Sequence, residues 1–275
     1  NDVNTKACIK LLNHRGPDDN GFYIDKKNNL KLIHTRLSIQ DISKAGHQPM
    51  ISEDKRFCIL FNGEIYNFKS LKAELNSKFD INWFSNSDTE VLLNLYIYLR
   101  ADIETFLKKL NGIFSIAIWD KEKEELVLAR DPFGVKPLYY IFSDFGFGFS
   151  SEIKSLLKII PQSFNTKRTE FNLDENAIHN YLTYLYCPGD QTPILNIKKL
   201  NPGEFMLIKD GELIKKKTWY KSPFFYKKKL LSDKKKVIPE IQSLLKKAVH
   251  NQLISNVPIG AFLSGGLDSS SLVAL

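Results

Sequence analysis

What most limits the folds open to this chain is how its strand-like runs are grouped, with helical patterns set together between them rather than alternating with them. Gly21-Phe22-Tyr23-Ile24 and Leu30 to His34 flank a turn at Lys26 to Asn29 and read as a hairpin. Phe57 to Phe61 is a short apolar strand closed by Asn62-Gly63. Two helical patterns follow. Phe68, Leu71, Leu75 and Phe79 recur at helical spacing, and Ser87-Asp88-Thr89-Glu90 opens a second run through Val91, Leu92, Leu95 and Leu99. Ser87 and Glu90 there fit a capping box. Strand signals return at Ile113 to Trp119, Leu126 to Arg130, Leu138 to Phe142 and Phe145 to Phe149. A last hairpin, Glu204 to Ile208 and Glu212 to Lys217, turns at Lys209-Asp210-Gly211. This order predicts an α+β domain of two stacked antiparallel sheets covered by helices, not a series of βαβ units. A short helix over Lys6 to Asn13, carrying Ile9, Leu11 and Leu12, precedes it.

The organisation changes near residues 215 to 236, a Lys-rich stretch that reads as a linker between a domain over 1–214 and the start of another over 237–275. In the second part a helix runs from about Val237 to Leu253, with Ile241, Leu244, Leu245, Ala248 and Val249 expected to face inward. Ile259 to Leu263 reads as a strand, and Ser264 onward as a loop entering a new helix. The lysine runs at 215–217, 227–229 and 234–236 supply much of the net charge of +8. A nucleic-acid site would interleave Arg and aromatics with such lysines, so a solvated surface is expected and no nucleic acid. No apolar run approaches the roughly 18 residues of a membrane span, and Asn1-Asp2-Val3-Asn4 has no signal-peptide character. The three cysteines, Cys8, Cys58 and Cys187, lack metal-ligand or disulfide spacing, which favours core roles and a reducing cytoplasm. The missing initiator Met and the stop within Ser271 to Leu275 lead us to expect a piece of a longer chain.

The sharpest motif is Ser264-Gly265-Gly266-Leu267-Asp268-Ser269-Ser270, which follows the apolar residues Phe262 and Leu263. Its glycines let the backbone approach an anion, and N–H groups at a helix start point toward it. Asp268 can hold Mg²⁺ on phosphate oxygens. There is no Gly-Lys-Ser/Thr ending, so this is not a Walker A loop. The plain alternative is an ordinary strand-to-helix connection. Asn62-Gly63 is likewise a hairpin turn or a pair of donors converging on an oxyanion. Arg36 is a surface ion-pair residue or a carboxylate fork. Asp88 favours a helix dipole or receives a substrate ammonium.

Five segments in one chain choose among these readings: His14-Arg15-Gly16-Pro17-Asp18, Arg36 to Ile39, Phe61 to Asn67, Ser87 to Glu90 and Ala129 to Tyr140. In that order they resemble the class II glutamine amidotransferase domain of glutamine-hydrolysing asparagine synthetases, and SGGLDSS resembles the loop of the ATP-pyrophosphatase family. The resemblance implies a four-layer αββα sandwich of the N-terminal-nucleophile hydrolase type, followed by the start of an α/β synthetase domain. It implies glutamine bound by Arg36, the backbone of Leu37, Ser38, Ile39 and Gln40, and Glu64 with Asp88, with Asn62 and Gly63 as oxyanion hole. It implies ATP bound by Phe262 to Ser270, Mg²⁺ on Asp268, aspartate as acceptor, and a homodimer left open. The family's nucleophile is an N-terminal Cys; here residue 1 is Asn1, so that Cys is expected upstream and this chain alone is expected to be inactive. The rival readings are a β-lactam-forming synthetase, amidation of another acid such as a sugar acid, and a non-catalytic glutamine-binding module.

Overall fold

Strand β4 (Phe57–Ile65) sends alternate side chains into two different cores, and the layers of the protein follow from that alternation. The computed structural model describes residues 2–99, 102–143, 146–159, 172–223 and 233–275. Antiparallel β4 and β5 (Gly112–Asp120) lie in a six-stranded sheet with order β11-β10-β6-β5-β4-β3. Its other members are β3 (Met50–Ile51), β6 (Glu125–Arg130), β10 (Glu204–Lys209) and β11 (Glu212–Thr218).

On one face, Phe57, Ile59, Phe61 and Ile65 join Phe114, Ile116, Ile118, Val127 and Phe205 under a helical layer. The helices are α2 (Phe68–Asn76), α3 (Asp88–Leu99) and α4 (Ile103–Lys109). On the other face, Cys58, Leu60, Ala117, Trp119, Leu128 and Met206 meet a second β layer through Leu32, Leu138 and Tyr140. That layer consists of two sheets. One is the hairpin of β1 (Asp19–Asp25) and β2 (Leu30–Arg36). The other has the order β8-β7-β9, from β7 (Tyr139–Ser143), β8 (Gly146–Ser150) and β9 (Lys198–Lys199). Helices α1 (Asp2–Leu12) and α5 (Ile153–Ile159) pack outside it, Leu156 against Ile141. The result is the expected helix–sheet–sheet–helix stack.

Several local readings change. β4 runs on through Asn62 and Gly63, paired with Ser115 and Phe114, because β5 continues beside it and no turn is required. Helix α2 ends at Asn76 and leaves Phe79 exposed beyond it. The capping box is half made: Glu90 N–H donates to Ser87 Oγ at 3.3 Å, while the Glu90 carboxylate reaches back to the amides of Phe84 and Ser85. Helices α4, α5 and α6 (Glu175–Tyr184) are short, and their periodicity was too brief to read. Lys215-Lys216-Lys217, expected at the start of the linker, belong to β11. Asn1, Phe145 and Lys227-Lys228-Lys229 lie outside the described residues.

The second part differs most. Helix α7 (Lys234–Gln252) forms, yet it has no buried residue, and Ile241, Leu244 and Leu245 are exposed rather than inward. Ile259 to Leu263 pairs with no strand among the described residues and is exposed. An apolar stripe or run specifies a face to bury; burial itself needs a partner surface.

The segment Arg130 to Lys136 is a structural staple. The Asp131 carboxylate, fully buried, accepts from the amides of Phe133 (2.9 Å), Lys136 (3.0 Å), Val135 (3.1 Å) and Phe114 (3.3 Å). The Arg130 guanidinium caps the carbonyls of Leu200 (2.6 Å), Gly134 (2.7 Å) and Lys136 (2.8 Å). Removing this acceptor strands several buried N–H groups, so Asp131→Ala should cost about 2–5 kcal/mol in urea unfolding. A variant as stable as the parent would show that the carboxylate is dispensable.

Candidate active site

A cavity of 1010 Å³ opens between the two β layers, at the upper end of the roughly 300–1,000 Å³ of small-molecule sites. Its walls come from β2, β4, β8 and the first turn of α3. The chemistry starts from the hydrogen-bond parity of β4. Odd-numbered residues turn N–H and C=O away from β5, toward an edge that β3 covers only near Ile59. Beyond β3, side chains take over. Phe61 N–H donates to Gln48 Oε1 at 2.7 Å, Phe61 C=O accepts from His34 Nε2 at 3.3 Å, and Ile65 N–H donates to Asp88 Oδ2 at 2.9 Å. The same parity turns the Gly63 N–H to this edge, where no strand pairs with it among the described residues. Glycine is required here because a Cβ would overlap the Ile113 carbonyl and the Phe114 backbone of β5.

Asn62 and Glu64 belong to the other parity and line the cavity. Among the described residues the Asn62 amide has only a long contact, Nδ2 to Ser151 Oγ at 3.5 Å, so it and the neighbouring Gly63 N–H form a pair of available donors. Glu64 accepts from Gln40 Nε2. Burial raises the Glu64 carboxyl above its ordinary value, against the lowering effects of Gln40 and Lys136. Asp88 is more strongly affected. Burial first, then the Glu64 charge, push it up to about 7, although the Ile65 and Thr89 amides favour its ionised form. Two carboxylates on one wall, both disfavoured as anions, make a site that gains from a bound cation.

Arg36 lies buried beside this wall, and its position is set by backbone carbonyls. Nη1 donates to Ser43 O at 3.0 Å, and Nη2 to Gln40 O at 3.2 Å and to Asp41 O. Gly46 is the neighbour that permits this, since a Cβ would collide with Nη2. Arg36 therefore organises the loop through Ser43 and keeps only part of its fork for a ligand. Leu37, Ile39 and Gln40 line the cavity with it, whereas Ser38 points its N–H at Asp18 Oδ2, 2.8 Å away.

His34 was missed in the sequence. Alternation along β2 from Leu32 to Arg36 was the available signal, since all three side chains share one face. Desolvation holds the His34 imidazole near 4, so it is neutral, and its Nδ1 is buried with no partner. Gln48, Asp41 and Ser151 carried no sequence signal, because each acts through contacts across the fold.

Neither Cys8 nor Cys58 is disposed to form a thiolate. Burial drives Cys58 up to about 12, and raises Cys8 against the opposing charges of Lys31 and Lys158. Cys187 is buried and donates to Ala177 O at 3.5 Å.

The second motif stands apart from the cavity. Gly265 takes φ +78°, which favours glycine, and α8 (Leu267–Ala274) begins after Gly266 with no side-chain cap. Ser264 Oγ and Ser269 Oγ bond at 2.9 Å across the turn, leaving the first-turn amides for an anion. Phe262 and Leu263, before the turn, are exposed. Asp268 is the carboxylate of that first turn, and no cluster of three or more metal-ligating side chains exists among the described residues. One carboxylate suits a Mg²⁺ that arrives on phosphate oxygens.

Comparisons with known proteins give two family matches along the chain. A family model described as a glutamine amidotransferase domain matches residues 1–220, and one described as asparagine synthase matches 240–275. Glutamine-hydrolyzing asparagine synthetase 1 of Bacillus subtilis (strain 168) is 36% identical over 271 residues, which are 98% of this chain and 40% of that protein. A putative glutamine-hydrolyzing asparagine synthetase 2 of Methanocaldococcus jannaschii is 38% identical over 283 residues, 97% of this chain and 52% of that protein. The chain thus spans about half, or less, of these relatives. A glutamine phosphoribosylpyrophosphate amidotransferase from B. subtilis, solved with ADP and GMP, shares the fold. Its TM-score is 0.56 at 18% identity, over 78% of this chain and 45% of that one.

The raised Asp88 carboxyl has a consequence for stability. Between the ordinary carboxyl value and about 7, the folded chain binds a proton that the unfolded chain does not, so stability falls as pH rises through that window. His34, held near 4, opposes this decline between about pH 4 and its ordinary value, so the Asp88 share is read by difference. From pH 4 to 8, urea unfolding of Asp88→Asn should lack a downward slope of at most about 1.4 kcal/mol per pH unit that the parent carries. An equal slope in the variant would remove Asp88 as its source.

Proposed function

This chain belongs to the glutamine amidotransferase domain family, and from that premise we propose that it carries the ammonia-producing half, and the first part of the ATP-using half, of an enzyme that makes asparagine. The observation that carries the reading is the single cavity wall on which the Asn62 and Gly63 donors stand beside the Glu64–Asp88 pair. Glutamine has the complementary ends. Its ammonium fits the two carboxylates, its α-carboxylate fits the remaining donors of Arg36, and its side-chain carbonyl reaches the Gly63 N–H and Asn62 Nδ2. Those donors are aimed where negative charge grows when the amide is attacked.

The attacking thiolate is assigned to a Cys on a segment upstream of Asn1, because burial raises the Cys8 and Cys58 thiols and Cys187 is buried against Ala177 O, outside the cavity lining. The cavity also has the shape to admit such a segment. β2 pairs with β1 and β8 with β7, and the second edge of each is unpaired among the described residues, with both strands lining the space. Attack forms a thioester to the glutamine side-chain carbon and expels ammonia, and water then releases glutamate.

In the second half the aspartate side-chain carboxylate attacks the α-phosphorus of ATP and pyrophosphate leaves. Ammonia adds to the acyl carbon, AMP departs, and a proton is lost to give asparagine. Ser264 to Ser270 supply amides and hydroxyls for the phosphates, and Phe262 with Leu263 lead the chain into that turn. Mg²⁺ arriving with ATP would neutralise phosphate charge there, held by Asp268. Free buried cysteines fit a reducing cytoplasm, and no helix among the described residues is long and apolar enough to cross a membrane.

The full-length protein given glutamine, aspartate and ATP should yield glutamate, asparagine, AMP and pyrophosphate; ADP with phosphate would overturn the nucleotide assignment. Asn62→Ala should lower glutamine-dependent kcat by about 10²–10³-fold and leave ammonia-dependent asparagine formation intact. Equal loss of both activities would refute the oxyanion role.

A further inference from the structure

From Asp233 onward the described residues rest on the first domain at few points. Helices α7 and α8 bury no residue, and yet the short connection between them is docked. Ile254 packs against the main core under the six-stranded sheet. Two residues on, Asn256 makes two hydrogen bonds to the loop after Arg36. Its backbone N–H donates to Ile39 O at 3.0 Å, and its Oδ1 accepts from Asp41 N–H at 2.9 Å. Ser255 fixes the turn, its Oγ donating to Val257 O at 2.9 Å and accepting from Val257 N–H at 3.0 Å.

The residue that Asn256 holds is unusual. Asp41 has φ +48°, a left-handed conformation costly for a residue with a side chain and kept only when surroundings over-determine it. Its carbonyl accepts from Arg36 Nη2. One carboxylate oxygen takes Ser43 N–H (3.1 Å) and Ser43 Oγ (2.5 Å), and the other takes Asn86 N–H at 2.6 Å. Burial alone would raise this carboxyl, but the bonds from Ser43 and Asn86 and the Arg36 charge hold it below the ordinary range. Asp41 thus joins the carbonyls that seat Arg36, the residue two before Asp88, and Asn256 from the second half of the chain. Removing the Asn256 acceptor leaves the Asp41 N–H unpaired and weakens the restraint on the Gln40 and Asp41 carbonyls.

We propose that Asn256 is a positioning residue for the glutamine pocket, and that Ile254 to Asn256 is the clip through which the nucleotide loop, starting eight residues on at Ser264, adjusts the pocket's grip. The inference rests on the functional reading above. The short connection from Asn256 to the Ser264 turn is the route assigned to the coupling. Such coupling is reciprocal: what ATP does for glutamine, glutamine does for ATP.

The test uses the full-length protein, following glutamate release against glutamine concentration with and without ATP plus aspartate. In the wild type, ATP plus aspartate lowers the glutamine KM. Asn256→Ala should raise that KM about three- to tenfold, the worth of one hydrogen bond, with kcat within about twofold and the nucleotide response abolished. Asn256→Asp, which keeps the Oδ1 acceptor, should stay near wild type, and ammonia-dependent synthesis should persist in both. A KM within twofold of wild type in N256A, an equal rise in N256D, a wild-type KM indifferent to nucleotide, or loss of ammonia-dependent synthesis would each overturn the proposal. No glutamate from the wild type would instead overturn the functional reading beneath it.

Discussion

The site depends on a strand that outruns its neighbour. β4 has a full partner in β5 and only a two-residue partner, β3, on its other edge. Buried backbone groups must be paired, so the exposed edge from Phe61 to Ile65 has to recruit acceptors and donors from elsewhere. Gln48, His34 and Asp88 are the recruits, drawn from a loop, from β2 and from α3. Each brings its own element to the cavity wall. The Gly63 amide is left over, between two satisfied neighbours, and that makes it useful to a ligand.

The electrostatics follow from the same geometry. Asp88 enters the edge to accept an amide, and in doing so comes near Glu64 in a space with little water. One accepted amide does not offset the loss of solvent and the second negative charge, so the pair favours a cation or a proton. Arg36 donates to backbone carbonyls and works largely as scaffolding for the Gln40–Ser43 loop, while its charge lowers the Asp41 carboxyl. In the proposed reading one residue serves both pocket and loop, and substitutions there will not separate the two roles cleanly. Asn62 and Asn256 are better probes, because each contributes a side chain without organising a loop by itself.

Much of this architecture was legible. The grouping of strands around paired helices announced stacked antiparallel sheets, and the apolar runs at Phe57 to Phe61, Ile113 to Trp119 and Leu126 to Arg130 marked the central strands. Where both faces of a strand are buried against different layers the run is apolar throughout, and the pleat then sorts its side chains between the two cores. The sequence pattern did not find the end of β4, because Asn-Gly has turn propensity that a continuous partner strand overrides. Nor did it find α4 and α5, each too short to repeat a helical stripe. Gly63 read as part of a turn and Gly46 carried no reading, yet each serves close packing, Gly46 against a guanidinium and Gly63 against a strand backbone.

The amino-acid order by itself determined which segments become strands and helices, which of their faces are apolar, and which residue types stand near one another along the chain. Those properties are local, set by backbone sterics and by periods of two and 3.6 residues. Which edge amide stays free, which carboxylate loses its water, and which loop residue is held at positive φ were decided only in the tertiary structure. These depend on pairs far apart in the chain, such as Phe61 with His34, or Asp41 with Asn256 across 215 positions. The same reasoning explains α7. Its apolar stripe is written in the sequence, but burial is a property of two surfaces, and among the described residues nothing covers that face.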